Sequence, residues 1–228
     1  MDEDIVLIPG ALATSKLWDN QKCLLSERYR QHHVDVSASA SIPEMAERFS
    51  EKAPEEFTLM AFSMGGYVAL ELFQYIPERI KRLILINSAA EILSDKGHTE
   101  RSRSLELIEN GKFDFLIKLI FKHSIFNAEK RASISPQLQE MAQQIGANNY
   151  KQQLTAMLNK PDHTPLLNKI QCPTLLVVSE YDAVMPPERS YYLAQHIPQA
   201  RLAVISECGH LAMLEQPEKF NAILADWI

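Results

Sequence analysis

The stretch from residue 57 to residue 70, FTLMAFSMGGYVAL, joins an apolar strand to an apolar helix through a single serine. Phe57–Phe62 has one polar member, which is typical of a strand buried in the centre of a sheet. Ser63 follows at once, with a small residue two positions before it and another two positions after it, Ala61 and Gly65. This spacing predicts a tight strand-to-helix turn that projects the Ser63 hydroxyl from the edge of the sheet. Free N–H groups at the start of the helix favour a negative oxygen there.

A serine hydroxyl is a weak nucleophile unless a base removes its proton, and two residues further along the chain fit that requirement. Asp182 comes shortly after the apolar run Thr174–Ser179, and His210 comes shortly after Arg201–Ile205. Both runs are predicted strands, and sites in parallel sheets form beyond the carboxyl ends of the strands. The order Ser63, Asp182, His210 therefore predicts a triad of nucleophile, orienting acid and base.

Other residues compete for these roles. Glu180 lies nearer to the strand end than Asp182, but we interpret it as a solvated loop charge. Six further histidines occur, and none of them follows a predicted strand near the end of the chain. Cys208 is interpreted as a packed thiol, because Ser63 already occupies the turn.

The loop after the first strand completes the predicted site. Ile5–Ile8 is a short apolar run that ends at Pro9-Gly10, which predicts a buried strand followed by a turn. An oxyanion hole needs two backbone N–H groups directed at the developing negative charge. We predict that Met64, directly after the serine, supplies one of them and that Ala11 supplies the other, with glycine allowing the close approach.

Apolar strands alternate with helical patterns over most of the chain, which predicts an α/β fold. We expect a mostly parallel sheet of about six strands flanked by helices, because near-continuous apolar strands are covered on both faces. Residues 90–165 show helical periodicity and are predicted to be a helical cap, inserted between two strands of a single domain, 1–228. We also predict the second strand at His32–Val36 and a cap helix that starts at Pro136.

Together these segments resemble the α/β-hydrolase superfamily, and in particular its compact bacterial serine hydrolases. The similar segments are spread over the whole chain: Leu7–Leu12, Phe57–Leu70, Leu175–Pro187 and Glu207–Pro217. The resemblance implies that Ser63 is the nucleophile, His210 the base and Asp182 the residue that orients it. Two features depart from the family pattern. Pro9-Gly10 stands where most relatives have His-Gly, and the first predicted strand begins at residue 4 or 5 without the usual opening hairpin.

The expected function is a serine hydrolase that cleaves a small carboxylic ester, lactone or thioester through an acyl-enzyme. Two alternatives stay open: a cofactor-free lyase or C–C bond hydrolase on the same fold, and a non-catalytic ligand receptor. Serine at the turn argues against dehalogenases and epoxide hydrolases, which use a carboxylate there.

The candidate substrate contacts are Leu12, Arg103 and His123. One interpretation of Arg101 and Arg103 is a clamp for a substrate carboxylate, and the other is a solvated start of a cap helix.

Composition excludes several classes of function. The 228 residues carry 23 Lys and Arg against 29 Asp and Glu, a net charge of −6, and no basic run, which argues against a nucleic-acid binder. The longest stretch without a charge, 57–70, is too short to span a bilayer. Three separated cysteines without a CxxC pair, together with the acidic start Met1–Asp4, predict a cytoplasmic protein.

Neither a zinc-ligand spacing nor a phosphate-binding loop occurs in the sequence, so we expect no metal and no cofactor. The expected partner is a small acyl substrate, and the expected state is a monomer or a homodimer.

Overall fold

Six parallel strands form the centre of the molecule in the computed structural model, which describes residues 3–228. The strands are β1 (Glu3–Ile8), β2 (Tyr29–His33), β3 (Phe57–Phe62), β4 (Ile80–Ile86), β5 (Thr174–Ser179) and β6 (Ala200–Ile205). Their order in the sheet is β2-β1-β3-β4-β5-β6, and each neighbouring pair is parallel. The order reverses between β1 and β3, so the loops after these two strands flank the crevice where open parallel sheets bind ligands.

Helices cover both faces of this sheet. They are α1 (Lys22–Ser26), α2 (Ile42–Ser50), α3 (Met64–Tyr75), α4 (Asp95–Glu109), α5 (Phe113–Ser124), α6 (Ala128–Leu158), α7 (Pro187–His196), α8 (Ala212–Glu215) and α9 (Pro217–Trp227). Along β3, Leu59 and Ala61 pack with α2, α3 and α7, whereas Met60 and Phe62 pack on the other face with α8, α9 and cap-region residues. Successive side chains of a strand point to opposite faces, so a strand covered on both sides is apolar throughout.

The long connection between β4 and β5 holds α4, α5 and α6, which together fill most of the segment 90–165 that the sequence predicts as a cap. The longest of these helices, α6, is broken at Gly146, where φ is 75°. Among residues 3–228, no helix is both long enough and apolar enough to cross a membrane.

The prediction that a cap helix starts at Pro136 is wrong, because Pro136 lies inside α6. The helix begins at Ala128, since the side-chain oxygen of Asn127 accepts hydrogen bonds from the N–H groups of Glu129 and Lys130 at 2.9 and 3.4 Å. Asparagine is among the residues preferred at the N-cap, so the helix starts eight residues before Pro136.

The predicted second strand is also displaced, because β2 is Tyr29–His33 rather than His32–Val36. Its register pairs Arg30 with Asp4 of β1, and the two side chains form a bidentate ion pair at 2.6 and 2.8 Å. Val34 and Val36, which suggested the strand, are buried within the loop that follows it. Burial of both valines, together with the hydrogen bond from the Val34 N–H to the Leu7 carbonyl of β1 at 3.0 Å, explains why the sequence pattern extends past the end of β2.

Candidate active site

Ser63 connects β3 to α3 in a strained conformation, with φ at 52° and ψ at −118°. Positive φ is uncommon for a residue with a side chain, and such strain often marks a functional position. The turn passes so close to β1 that a Cβ placed on Gly65 would lie 2.5 Å from the carbonyl oxygen of Pro9 and 2.6 Å from that of Ile8. Glycine at this position is therefore a steric requirement, as the sequence spacing indicates.

His210 lies within hydrogen-bond distance of the serine. Its Nε2 is 2.9 Å from the Oγ of Ser63, and its Nδ1 is 2.6 Å from an oxygen of Asp182. A carboxylate only accepts hydrogen bonds, so the Nδ1–H donates to Asp182 and Nε2 accepts the Ser63 O–H. His210 and Asp182 are both buried, and the ring of Phe62 packs against the imidazole at 4.7 Å between centroids. The structure thus brings together the three residues that the sequence predicts as a triad.

The competing residues lie elsewhere. Glu180 is exposed and accepts the N–H of Glu207 at 3.1 Å. His163 is buried against Glu71, with 2.6 Å between Nε2 and the carboxylate. Burial raises the pKa of the Cys208 thiol to about 12, so this side chain is uncharged at neutral pH. Within residues 3–228, no group of three or more His, Cys, Asp and Glu side chains is arranged to hold a metal ion.

The acid is fixed by its own loop. One oxygen of Asp182 accepts the N–H groups of Val184 and Met185, both at 2.8 Å, while the other oxygen faces His210. Two N–H donors on one oxygen hold the plane of the carboxylate in place. The side chain is therefore ready to orient an imidazole and to face the positive charge that forms on it.

Asn87, which sequence reasoning did not select, supports the histidine loop. It follows β4 with φ at 44°, and its amide nitrogen donates to the carbonyl of His210 at 2.8 Å and to the hydroxyl of Ser179 at 2.9 Å. Its oxygen accepts the N–H of Ser179 at 2.8 Å. Asn87 therefore ties the ends of β4 and β5 to the loop of the predicted base. Its place directly after an apolar strand was a usable signal.

Glu215 is a second supporting residue that sequence reasoning missed. Its side chain is completely buried and accepts three backbone N–H groups: from Gly209 at 2.8 Å, Phe126 at 3.2 Å and Asn127 at 2.6 Å. Gly209 precedes the histidine, and the other two residues lead into α6. The carboxylate therefore fastens the histidine loop to the cap region.

The two predicted oxyanion donors lie beside the serine. Met64 is the first residue of α3, where an N–H group has no acceptor within the helix, and Ala11 follows Gly10 in the loop after β1. Both residues line one cavity with Ser63 and His210. The N–H of the next residue, Leu12, is already used, because it donates to the side-chain oxygen of Gln153 at 3.1 Å. The roles of Ala11 and Met64 remain predictions.

The cavity has a volume of about 700 Å³ and two kinds of wall. Its apolar wall comes largely from α5 and α6, including Leu116, Ile120, Phe121, Leu138, Leu154 and Met157. Its polar end comes from α4, with Lys96, Glu100, Arg101, Arg103 and Ser104. The three predicted substrate contacts also line it: Leu12 is buried, and Arg103 and His123 are exposed. Contact of these three residues with a substrate stays a prediction.

A parallel sheet, a serine at a tight strand-to-helix turn, and the order Ser, Asp, His are features of serine hydrolases built on an α/β sheet. Comparison with known proteins agrees. The chain belongs to the alpha/beta hydrolase family, whose sequence model matches residues 5–223. The predictions of the fold class, of the family and of a hydrolase are thereby confirmed.

Individual relatives are similar over nearly the whole chain. The pimeloyl-[acyl-carrier protein] methyl ester esterase of Nitrosomonas europaea is 28% identical over 232 residues, which cover 95% of this chain and 92% of the relative. Among solved structures, a thermophilic esterase from Thermogutta terrifontis has a TM-score of 0.85 at 24% identity, covering 100% of this chain and 89% of that one. The enol-lactonase of Burkholderia xenovorans LB400 has a TM-score of 0.87 at 19% identity, covering 99% and 91%. The two structures support the fold.

Proposed function

We propose that this protein is a serine esterase that cleaves a small carboxylic ester through an acyl-enzyme. The observation that carries the proposal is the pair of hydrogen bonds at His210, 2.9 Å to the Ser63 hydroxyl and 2.6 Å to Asp182. This geometry matches that of a base beside its nucleophile and an acid that orients the base.

In the first half of the reaction, Ser63 Oγ attacks the ester carbonyl carbon while its proton passes to His210 Nε2. Asp182 faces the imidazolium that forms, and the N–H groups of Ala11 and Met64 stabilise the negative oxygen of the tetrahedral intermediate. The intermediate collapses as the bond to the alkoxy group breaks and the Nε2 proton passes to the leaving oxygen. The products of this half are an alcohol and an ester of Ser63.

In the second half, a water molecule gives a proton to His210 Nε2 and attacks the acyl carbon. The same two N–H groups stabilise the second tetrahedral intermediate. Its collapse breaks the bond to Ser63 Oγ, which takes back the proton from Nε2. The carboxylic acid leaves, and the enzyme returns to its starting state.

The cavity supports a substrate class. We take residues 90–165 as a cap whose α5 and α6 hold an apolar acyl chain, with Leu12 and His123 beside it. At the α4 end, Arg101 is half-buried in the cavity wall, and no carboxylate within residues 3–228 lies within 4.0 Å of it. Burial lowers the pKa of its guanidinium, and the positive Arg189 acts in the same direction, whereas Tyr67, Tyr150 and Glu100 act against it. Lys160, whose own pKa is lowered by burial and then by Arg101 and Arg189, adds a third positive group nearby. A negatively charged group on the substrate would offset this excess of positive charge.

The proposed substrate is therefore an ester with an apolar chain and an anionic group at a distance from the ester. The name of the Nitrosomonas europaea relative adds a specific candidate, a pimeloyl methyl ester carried on acyl-carrier protein.

The reaction type is tested with p-nitrophenyl esters and the variant Ser63→Ala. We expect kcat to fall by roughly 10⁴-fold or more, because the nucleophile of a triad is lost. Ser102→Ala, an exposed serine on α4, is the matched control and should keep full activity. Turnover that survives in Ser63→Ala would contradict the proposal.

Mass spectrometry of quenched reactions separates the proposal from its alternatives. An esterase gives a peptide containing Ser63 that is heavier by the mass of the acyl group. A cofactor-free lyase forms its products without this adduct, and a ligand receptor shows no turnover at all.

The substrate class is tested by comparing a neutral ester with an anionic ester of equal chain length. We expect Arg101→Gln to raise KM for the anionic ester by about tenfold, since a charge-assisted hydrogen bond in a partly buried site is lost. KM for the neutral ester should change little. An equal rise in KM for the anionic and the neutral ester would contradict an anionic substrate.

We further propose a cytoplasmic protein that is a monomer or a homodimer. All three cysteines are free, which suits a reducing compartment. Cell fractionation and light scattering on the purified protein test these two points.

A further inference from the structure

Gln153 lies on α6 in the wall of the cavity, and its side chain is completely buried. Its oxygen accepts the N–H of Leu12 at 3.1 Å, and its nitrogen donates to the Val36 carbonyl at 3.2 Å. One side chain from the cap region therefore holds both the loop after β1 and the segment after β2, 141 and 117 residues away in the sequence. A buried amide needs partners of both kinds, because an unpaired donor or acceptor in the interior is costly.

The loop that Gln153 holds is strained and lies against the nucleophile. Leu12 has φ at 60°, a backbone conformation that leucine rarely adopts. Two residues earlier, a Cβ placed on Gly10 would lie 3.2 Å from the Cβ of Ser63. Strained backbone persists only where its surroundings determine it, and the hydrogen bond from Leu12 to Gln153 is such a restraint.

The same bond decides which N–H groups of the loop are left for a substrate. The Leu12 N–H is used by Gln153, and the Ala13 N–H donates to the Gly10 carbonyl at 3.3 Å. For the Ala11 N–H, residues 3–228 offer no hydrogen-bond acceptor. Ala11 lines the cavity together with Ser63.

We propose that Gln153 is a positioning residue for the oxyanion loop. By holding Leu12 it sets the direction of the Ala11 N–H, and it links that direction to the position of α6. The proposal rests on the esterase function proposed above. The Ala11 N–H must point to where the negative oxygen forms. A displaced loop therefore reduces the stabilisation of the transition state more than it reduces substrate binding.

The first test is Gln153→Met, which keeps the length of the side chain and removes both hydrogen bonds. Removing an oxyanion donor outright costs about 10²–10³-fold in kcat, so a misdirected donor should cost about tenfold or more. KM should stay within about threefold, because the contribution is made in the transition state. Gln152→Met is the matched control, since Gln152 is the exposed neighbour on the same helix.

The second test is Gln153→Glu, which remains informative if Gln153→Met does not fold. When the carboxyl group of this variant is protonated, it offers one acceptor to Leu12 and one donor to Val36, as glutamine does, whereas the carboxylate loses the donor. Burial raises the pKa of a carboxyl group, so the protonated form exists at accessible pH. We expect the kcat of Gln153→Glu, divided by that of the wild type, to be near one at low pH and to fall as pH rises. The corresponding ratio for Gln152→Glu should not depend on pH.

The outcomes distinguish this proposal from the proposed function. It is overturned if wild-type hydrolysis depends on Ser63 while a folded Gln153→Met keeps the wild-type kcat, or while the kcat ratio of Gln153→Glu is independent of pH. A loss of melting temperature in Gln153→Met with unchanged kcat would show a structural role and would likewise overturn it. Absence of an acyl-enzyme on Ser63 in the wild type would instead reject the esterase itself.

Discussion

The cavity lies between the sheet and the segment 90–165, and these two sides, its sheet wall and its cap wall, are built in different ways. On the sheet side, nearly every residue of α3 is buried, starting with Met64 directly after the serine. On the cap side, Gly97 is the one buried residue of α4, all of which is described, although this helix supplies most of the cavity's charged residues. Ser63 thus lies at the start of a closely packed element, whereas the charged wall lies on an exposed helix.

From this difference we expect catalysis to depend on the closely packed side and substrate selectivity to depend on the exposed side. Close packing leaves Ser63 a single position, which a reacting hydroxyl requires, because small displacements of catalytic groups are costly. An exposed helix tolerates substitution, since surface changes usually have small effects on stability. We therefore expect that residues of the charged wall can be exchanged without disturbing the serine and that, if they contact the substrate as proposed, such exchanges change the preferred substrate.

The largest effect is expected for a substitution on the closely packed sheet side of the cavity. In Gly65→Ala, the new Cβ would lie 2.5 and 2.6 Å from two carbonyl oxygens at the end of β1. These backbone atoms cannot move away cheaply, so we expect a loss of about 3 kcal/mol or more in the free energy of unfolding. We also expect a loss of about 100-fold or more in kcat. Urea unfolding and ester hydrolysis measure the two effects.

The matched control is the same change on the cap side. At Gly97 the nearest atoms to a new Cβ belong to flexible side chains of Arg101 and Leu93, at 3.4 Å. Gly97→Ala should therefore be neutral or stabilise the protein by up to about 1 kcal/mol, because alanine favours helix. Equal destabilisation by the two substitutions would contradict the contrast between the walls.

The next effect concerns a buried charge near the cap side. Lys160 is buried, and its Nζ donates to the Glu91 carbonyl and lies 3.9 Å from the ring centroid of Tyr67. Burial, followed by the charges of Arg101 and Arg189, lowers the pKa of Lys160 from 10.5 to about 7. Between these values the unfolded chain binds more protons than the folded chain, so stability should rise with pH.

The measurement is the free energy of unfolding from pH 7 to pH 10, compared between the wild type and Lys160→Met. The wild type should gain on the order of 3 kcal/mol relative to the variant over this range, since each unit of pKa shift corresponds to about 1.4 kcal/mol. Lys118→Met, an exposed lysine on α5, should follow the wild type. Parallel curves for the wild type and Lys160→Met would contradict the shifted pKa.

The contrast between the walls also explains what could be predicted from the sequence. Ser63, Asp182 and His210 each follow an apolar strand, and the side chains after parallel strands meet at one edge, so pattern and order were enough to select them. Gly65 is small because a larger side chain would collide with the neighbouring strand β1, so the sequence shows this steric limit directly. Local patterns therefore predicted the sheet and the residues on its edge.

The supporting contacts could not be found in this way. Gln153 and Gln152 are adjacent glutamines on one helix, and only the fold shows that one holds Leu12 while the other is exposed. Glu215 stands within a segment that resembles the family, but its partners at Phe126 and Asn127 lie 89 and 88 residues away. Contacts across such distances leave no periodic signal in a single sequence.

Glu215 connects the loop of His210 to the start of α6, so its substitution tests how strongly the two sides of the cavity depend on each other. The amide introduced by Glu215→Gln would keep one acceptor oxygen and turn an NH₂ group toward backbone N–H donors that the carboxylate now satisfies. We expect this variant to lose about 2 kcal/mol in the free energy of unfolding, because hydrogen bonds to a buried charged group are lost. The kcat should fall about tenfold, since the loop of His210 is loosened. Glu129→Gln, an exposed residue early in α6, should change neither quantity, and an equal response of the two variants would contradict the linking role.

The smallest expected effect lies at the exposed end of the cavity. Arg103 lines the cavity but is open to solvent, unlike the half-buried Arg101. Water and salt screen an exposed charge, so Arg103→Gln should raise KM for an anionic ester by only about two- to threefold at low salt. The kcat and the KM for a neutral ester should stay unchanged, and added salt should remove the difference between variant and wild type. If Arg103→Gln raised KM for the anionic ester as much as Arg101→Gln does, the charged group of the substrate would lie nearer to the solvent than the half-buried position of Arg101 suggests.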